Sequence, residues 1–83
     1  MKIALSQINV ARGDPAANLE RIAATAEDAA ARGADLLCLP EMVTTGFDWS
    51  RNRELLEAAA GHHERVSGIA ASNKLAICGS FLE

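Results

Sequence analysis

The sequence predicts an α/β fold, a β-α-β-α-β segment with parallel strands. Three observations predict it. Short apolar runs recur at residues 2–9, 35–39 and 75–82. The stretches between them hold apolar side chains at helical spacing and are long enough for crossover connections. No repeat, low-complexity tract or linker divides the 83 residues, so they read as one unit.

The first run, KIALSQIN, has no breaker and reads as a buried strand. A turn follows at RGDPAAN. Asp14 is a good N-cap, and Pro15 then falls on the first helical position, where its missing N–H costs nothing. Leu19, Ile22, Ala23, Ala26 and Ala30 mark one face of this helix. Gly33 stops it as the C′ residue, with Arg32 in the last turn. The second strand, DLLCL, should end at Leu39. Pro40 pushes that residue to an extended conformation and removes a ladder donor.

Residues 41–49 show no period and read as a loop. A short helix over 51–60 is expected to break at Gly61. A second, over 63–73, places Val66, Ile69 and Ala70 on one face and carries Gly68 inside it. The third strand, LAICGSFL, contains Gly79 as a weak point or bulge. Helices on one side would leave the other face of this sheet uncovered, whereas parallel sheets are normally covered on both. More chain or a partner is expected to cover it.

Composition narrows the function classes. The net charge is −3 with dispersed basic residues, which gives no stripe to neutralise phosphates. The first β-α turn, NVARGDP, lacks the glycine pattern of a phosphate cradle, so a nucleotide-binding domain has little support. No apolar run approaches the roughly 20 residues of a membrane helix. The opening MKIALSQINV lacks a long apolar region and a cleavage site, and reads as a strand and not a signal peptide. Two cysteines inside apolar runs, Cys38 and Cys78, make no disulfide framework, and a reducing cytoplasm is the expected location.

In open α/β sheets, sites gather at the carboxyl ends of the strands. Three segments arrive there: Asn9–Gly13, Pro40–Trp49, and Ser80 onward. Glu41 is the carboxylate placed just after the second strand, fixed there by Pro40. Partial desolvation at such a place suits a carboxylate to general-base work. It could equally start a helical turn or accept backbone hydrogen bonds, and the residues alone lean to that structural reading.

The stretch GADLLCLPEMVTTGF (Gly33–Phe47) resembles the glutamate motif of the nitrilase superfamily of carbon–nitrogen hydrolases. KIALSQINV resembles that family's first strand, DPAANLERI its first helix start, and LAICGSFLE its third strand. The similarity runs in order over nearly the whole chain. MVTTGF is closer to the ω-amidase-like branch, which hydrolyses side-chain amides of 2-oxoacid amides. The resemblance implies that residues 1–83 are the N-terminal part of one incomplete α-β-β-α sandwich domain. It implies a small amide or nitrile substrate and Glu-Lys-Cys chemistry through a thioester. Glu41 matches the general base; the lysine and nucleophile motifs lie downstream of the matched region. The chain as printed is therefore expected to be inactive. No metal or organic cofactor is implied, and a homo-oligomer or a partner chain is expected over the sheet.

Other residues carry plainer readings. Cys38 and Cys78 read as small buried hydrophobes in strands. Lys74 reads as a cap on a helix carboxyl end. His62 and His63 diverge by about 100° on a helix, poor geometry for one metal, and read as a solvated helix start. Phe47 and Trp49 either wall a pocket or cover an apolar edge. Thr44 and Thr45 are expected to hydrogen-bond within the loop. The alternative to an amidase segment is a non-catalytic truncated or split module that packs on a partner.

Overall fold

A computed structural model describes residues 1–46, 51–57 and 59–81 of the chain. The order is β1 (Ile3–Leu5), α1 (Pro15–Ala31), β2 (Leu36–Cys38), α2 (Asn52–Glu57), α3 (Ala59–Asn73) and β3 (Ala76–Cys78). The three strands form one parallel sheet in the order β1-β2-β3. Leu5, Cys38 and Cys78 lie abreast at its carboxyl edge. The α/β class and the parallel order are as the sequence predicts. The regular strands are shorter than the apolar runs, because each run continues past its strand into a loop that packs on the core.

Local chemistry sets the ends of α1. Asp14 caps it by accepting the Ala17 N–H at 3.2 Å, and Pro15 opens it. At the other end Gly33 takes φ +81°, and the Ala34 N–H donates to the Ala29 carbonyl at 3.0 Å. This is the six-to-one bond of a Schellman ending. The ending of α3 is built the same way: the Leu75 N–H donates to the Ala70 carbonyl at 3.0 Å. There Lys74 occupies the left-handed position, with φ 50°. Lys74 thus closes the helix through its backbone, where the sequence had suggested its charge.

Helix α3 runs through Gly61 and Gly68, neither of which breaks it. A Cβ at either glycine would meet nothing within 4 Å, so both simply face open space. The expected break at Gly61 is thus corrected. His62 and His63 accordingly sit inside α3 and half-buried, and not at a solvated helix start. The His63 ring packs edge-on against Phe81 at 5.5 Å between centroids.

Helices α1 and α3 cover one face of the sheet. Ala4, Leu37 and Ile77 point into a core with Ile22, Ala26, Ala29, Val66 and Ile69. Ile22 and Leu37 are fully buried, each contributing about 1.5–3 kcal/mol of transfer free energy. Neighbouring strand residues point the other way. Ile3 is 53% and Leu5 77% exposed, on a face that no described element covers. Cys38 and Cys78 lie on this face too. Cys38 is half-buried and Cys78 exposed, which corrects their reading as buried hydrophobes. No described helix is long and apolar enough to cross a membrane.

Candidate functional site

The three segments expected at the carboxyl edge of the sheet do converge there. After β2 the chain enters a turn over residues 41–45 in which burial rises sharply. Glu41 is exposed, Met42 half-buried, and Val43, Thr44, Thr45 and Gly46 are buried. Val43 is a full member of the core. A buried loop must pair its backbone groups or pay for them, and here the neighbouring loops supply the partners.

From one side the β1–α1 loop supplies them. The Gly13 N–H donates to the Thr45 carbonyl at 2.7 Å. Asn18, in the first turn of α1, is completely buried. Its Oδ1 accepts the Ala11 N–H at 2.7 Å. Its Nδ2 donates to the Ala11 carbonyl at 2.8 Å and to the Thr44 carbonyl at 2.9 Å. One side chain thus ties α1, the first loop and the Glu41 loop together. Gly46 allows the close approach. It has φ +67°, and a Cβ there would lie 3.0 Å from Arg12 Cα. The Arg51 guanidinium also donates to the Gly13 carbonyl, at 2.6 Å.

From the other side the chain after β3 supplies them. The Met42 N–H donates to Ser80 Oγ at 2.9 Å, and the Val43 N–H to the Ser80 carbonyl at 3.2 Å. Within the turn, the Thr45 and Gly46 N–H groups both donate to the Met42 carbonyl, at 3.2 and 2.6 Å. Met42 itself has φ 48°, a left-handed conformation costing an L-residue roughly 1–2 kcal/mol. Such strain persists only where the surroundings hold it.

Glu41 therefore starts a turn, as one reading of the residues expected. Its carboxylate accepts no hydrogen bond from the described residues. It is exposed within this chain, so the expected partial desolvation is not met here. The arrangement is a fixed backbone carrying, at the sheet's carboxyl edge, a carboxylate that none of the described residues engages.

The other candidates do not join it. Lys74 precedes β3, at the opposite end of the parallel strands. Cys38 and Cys78 touch each other, with their sulfurs 3.3 Å apart. Contact with Cys78, then burial, pushes the Cys38 thiol above its usual range. That disfavours the thiolate a nucleophile needs. No group of three metal-ligating side chains forms among the described residues. Burial first, then the neighbouring His63, lowers the His62 pKa. Thr44 offers its carbonyl to Asn18, and Thr45 Oγ1 donates to the Gly46 carbonyl at 3.1 Å. Phe47 and Trp49 lie outside the described residues. Asn18 and Ser80 are site residues to which sequence reasoning gave no role; their signals were the resemblance of DPAANLERI and LAICGSFLE to the family's first helix start and third strand and, for Ser80, its place at the converging edge.

The family model for carbon-nitrogen hydrolase matches residues 2–83. No curated protein matches the chain significantly. Solved structures do, among them amidases of the nitrilase superfamily from Nesterenkonia. A cysteine-to-alanine mutant of the Nesterenkonia AN1 amidase is 32% identical with TM-score 0.90, over 98% of this chain and 32% of that one. A glutamate-to-glutamine, cysteine-to-alanine double mutant in complex with acrylamide is 31% identical, with TM-score 0.90 and the same coverage. A glutamate-to-glutamine mutant, which shows Michael addition of acrylamide at the active-site cysteine, is 30% identical with TM-score 0.91. It is matched over 98% of this chain and 33% of its own. The chain spans about a third of the length of these amidases.

Proposed function

The chain belongs to the carbon–nitrogen hydrolase family, and from that membership we propose that it is the N-terminal portion of an enzyme hydrolysing a non-peptide amide C–N bond. Glu41 is its general base. The observation that carries this reading is the Glu41 loop: a backbone pinned from two sides behind an exposed carboxylate at the sheet's carboxyl edge. The solved amidases support it. In two of them a glutamate that also carries the number 41 is replaced by glutamine; one is in complex with acrylamide, a small amide, and the other shows acrylamide added to an active-site cysteine.

The chemistry assigned to Glu41 is that of a carboxylate acting as a proton acceptor. It takes the proton of a cysteine thiol as the sulfur attacks the amide carbon, and ammonia leaves with a proton. It then removes a proton from the water that opens the thioester. A lysine cation stabilises the negative charge on the tetrahedral intermediate. That lysine and that cysteine are contributed from outside residues 1–83. The MVTTGF segment favours an ω-amide of a 2-oxoacid as substrate, and a reducing cytoplasm keeps the nucleophilic thiol reduced.

Reading the coding sequence beyond the Glu83 codon tests this. A frame that continues into a lysine-bearing strand and a cysteine-bearing nucleophile turn supports it; a stop codon with no second coding piece nearby defeats it. The second reading, a non-catalytic module that packs on a partner, is favoured by the uncovered sheet face with Leu5 77% exposed. A monomeric, cooperatively folding 83-residue chain would count against it.

A further inference from the structure

We propose that Ser80 is a positioning residue for Glu41, acting through the peptide bond that joins Glu41 to Met42; the proposal rests on reading Glu41 as the base. The Met42 N–H belongs to that peptide and donates to Ser80 Oγ at 2.9 Å. The next N–H, that of Val43, donates to the Ser80 carbonyl at 3.2 Å. One residue therefore holds two consecutive N–H groups directly behind Glu41. Met42 sits at φ 48°, a conformation that needs support from its surroundings. The Ser80 hydroxyl is part of that support. Without it the peptide plane can turn towards water, and the carboxylate moves with the plane.

The fold delivers Ser80 to this place. Cys38 and Cys78 are register partners, and the Leu39 N–H donates to the Cys78 carbonyl at 2.8 Å. Past that bond the two chains must run close together. Gly79 permits it, since a Cβ there would lie only 3.2 Å from Leu39 Cβ. Ser80 is exposed, so removing its hydroxyl takes nothing from the core. Its effect should fall on the Glu41 loop alone.

Two measurements test the proposal. In the 83-residue chain, amide hydrogen exchange at Met42 is followed in wild type, Ser80→Ala and Ser80→Thr. Ser80→Ala should speed exchange about tenfold, the loss of one ordinary hydrogen bond, while Ser80→Thr keeps the wild-type rate. Unchanged Met42 protection in Ser80→Ala overturns the proposal. In a complete hydrolase carrying this segment, Ser80→Ala should lower kcat about 10- to 100-fold with KM nearly unchanged, and Ser80→Thr should restore it. A wild-type kcat in Ser80→Ala, where Glu41→Gln is dead, overturns the positioning role alone. A fully active Glu41→Gln overturns the reading of Glu41 on which the proposal rests.

Discussion

The substitution Asn18→Asp exchanges one NH2 for one oxygen and leaves the size of a fully buried side chain unchanged. The acceptor facing the Ala11 N–H survives. Both donors are lost, and an oxygen now faces the carbonyls of Ala11 and Thr44, which Nδ2 had held at 2.8 and 2.9 Å. Each buried group left unpaired costs about 1–3 kcal/mol, so the two carbonyls together cost roughly 2–6 kcal/mol. A chain of this length is stable by roughly 4–12 kcal/mol, so the loss is a large share of the whole.

The loss should also depend on pH. Burial raises the new carboxyl's pKa in the folded state above the unfolded value of roughly 3.9. A raised folded pKa gives stability that is present below the unfolded value and lost as pH rises through the folded one. Protonated, the aspartic acid regains one donor. The gap between Asn18→Asp and wild type should therefore widen from pH 4 to pH 7. Urea unfolding followed by far-ultraviolet circular dichroism at both pH values measures it. A gap below about 0.5 kcal/mol at pH 7, or one that ignores pH, would refute the bracing role of Asn18.

Three further expectations concern helix ends and the histidine pair. Gly33→Ala meets no steric contact, so its cost is only that of φ +81° and should be about 1 kcal/mol, a melting shift of roughly 4–8 °C downward. Lys74→Gly relieves the same kind of strain at φ 50° and should raise stability by about 0.5 kcal/mol once the flexibility of glycine is subtracted. A melting point that moves the wrong way in either variant contradicts the Schellman description. Because the folded-state pKa of His62 is lowered, the unfolded chain binds more protons, and stability should fall as pH drops through the unfolded value of roughly 6.5. His62→Gln should flatten that decline in pH-dependent unfolding; an unchanged slope would contradict it.

What the sequence could show follows from the range of the forces involved. Asp14, Pro15 and Gly33 were legible because caps act on backbone groups a few residues away. Leu37 and the parallel order were legible because short apolar runs admit few alternatives. Asn18 was not. Periodicity sorts residues by polarity, so it drew the face through Leu19 and Ala23. The stripe that is buried runs Asn18, Ile22, Ala26, Ala29, with a polar residue at its head. Gly61 misled because helix propensity is a weak prior, and burial of Val66 and Ile69 carries α3 through it. Ser80 and Met42 lie 38 residues apart in sequence, and only the sheet register brings them together. Cys38 and Cys78 were read as buried because the runs around them are apolar, whereas these residues face the uncovered side. The position of Glu41 at the carboxyl edge was legible because Pro40 ends β2; the loop that fixes it was not.

The most direct measurement is ammonia release from a small amide by a complete hydrolase carrying this segment, with and without Glu41→Gln. Loss of the base should lower the rate by about 10²–10⁴-fold while substrate still binds. A Glu41→Gln enzyme that hydrolyses amides at the wild-type rate would contradict the assignment of Glu41 as the base.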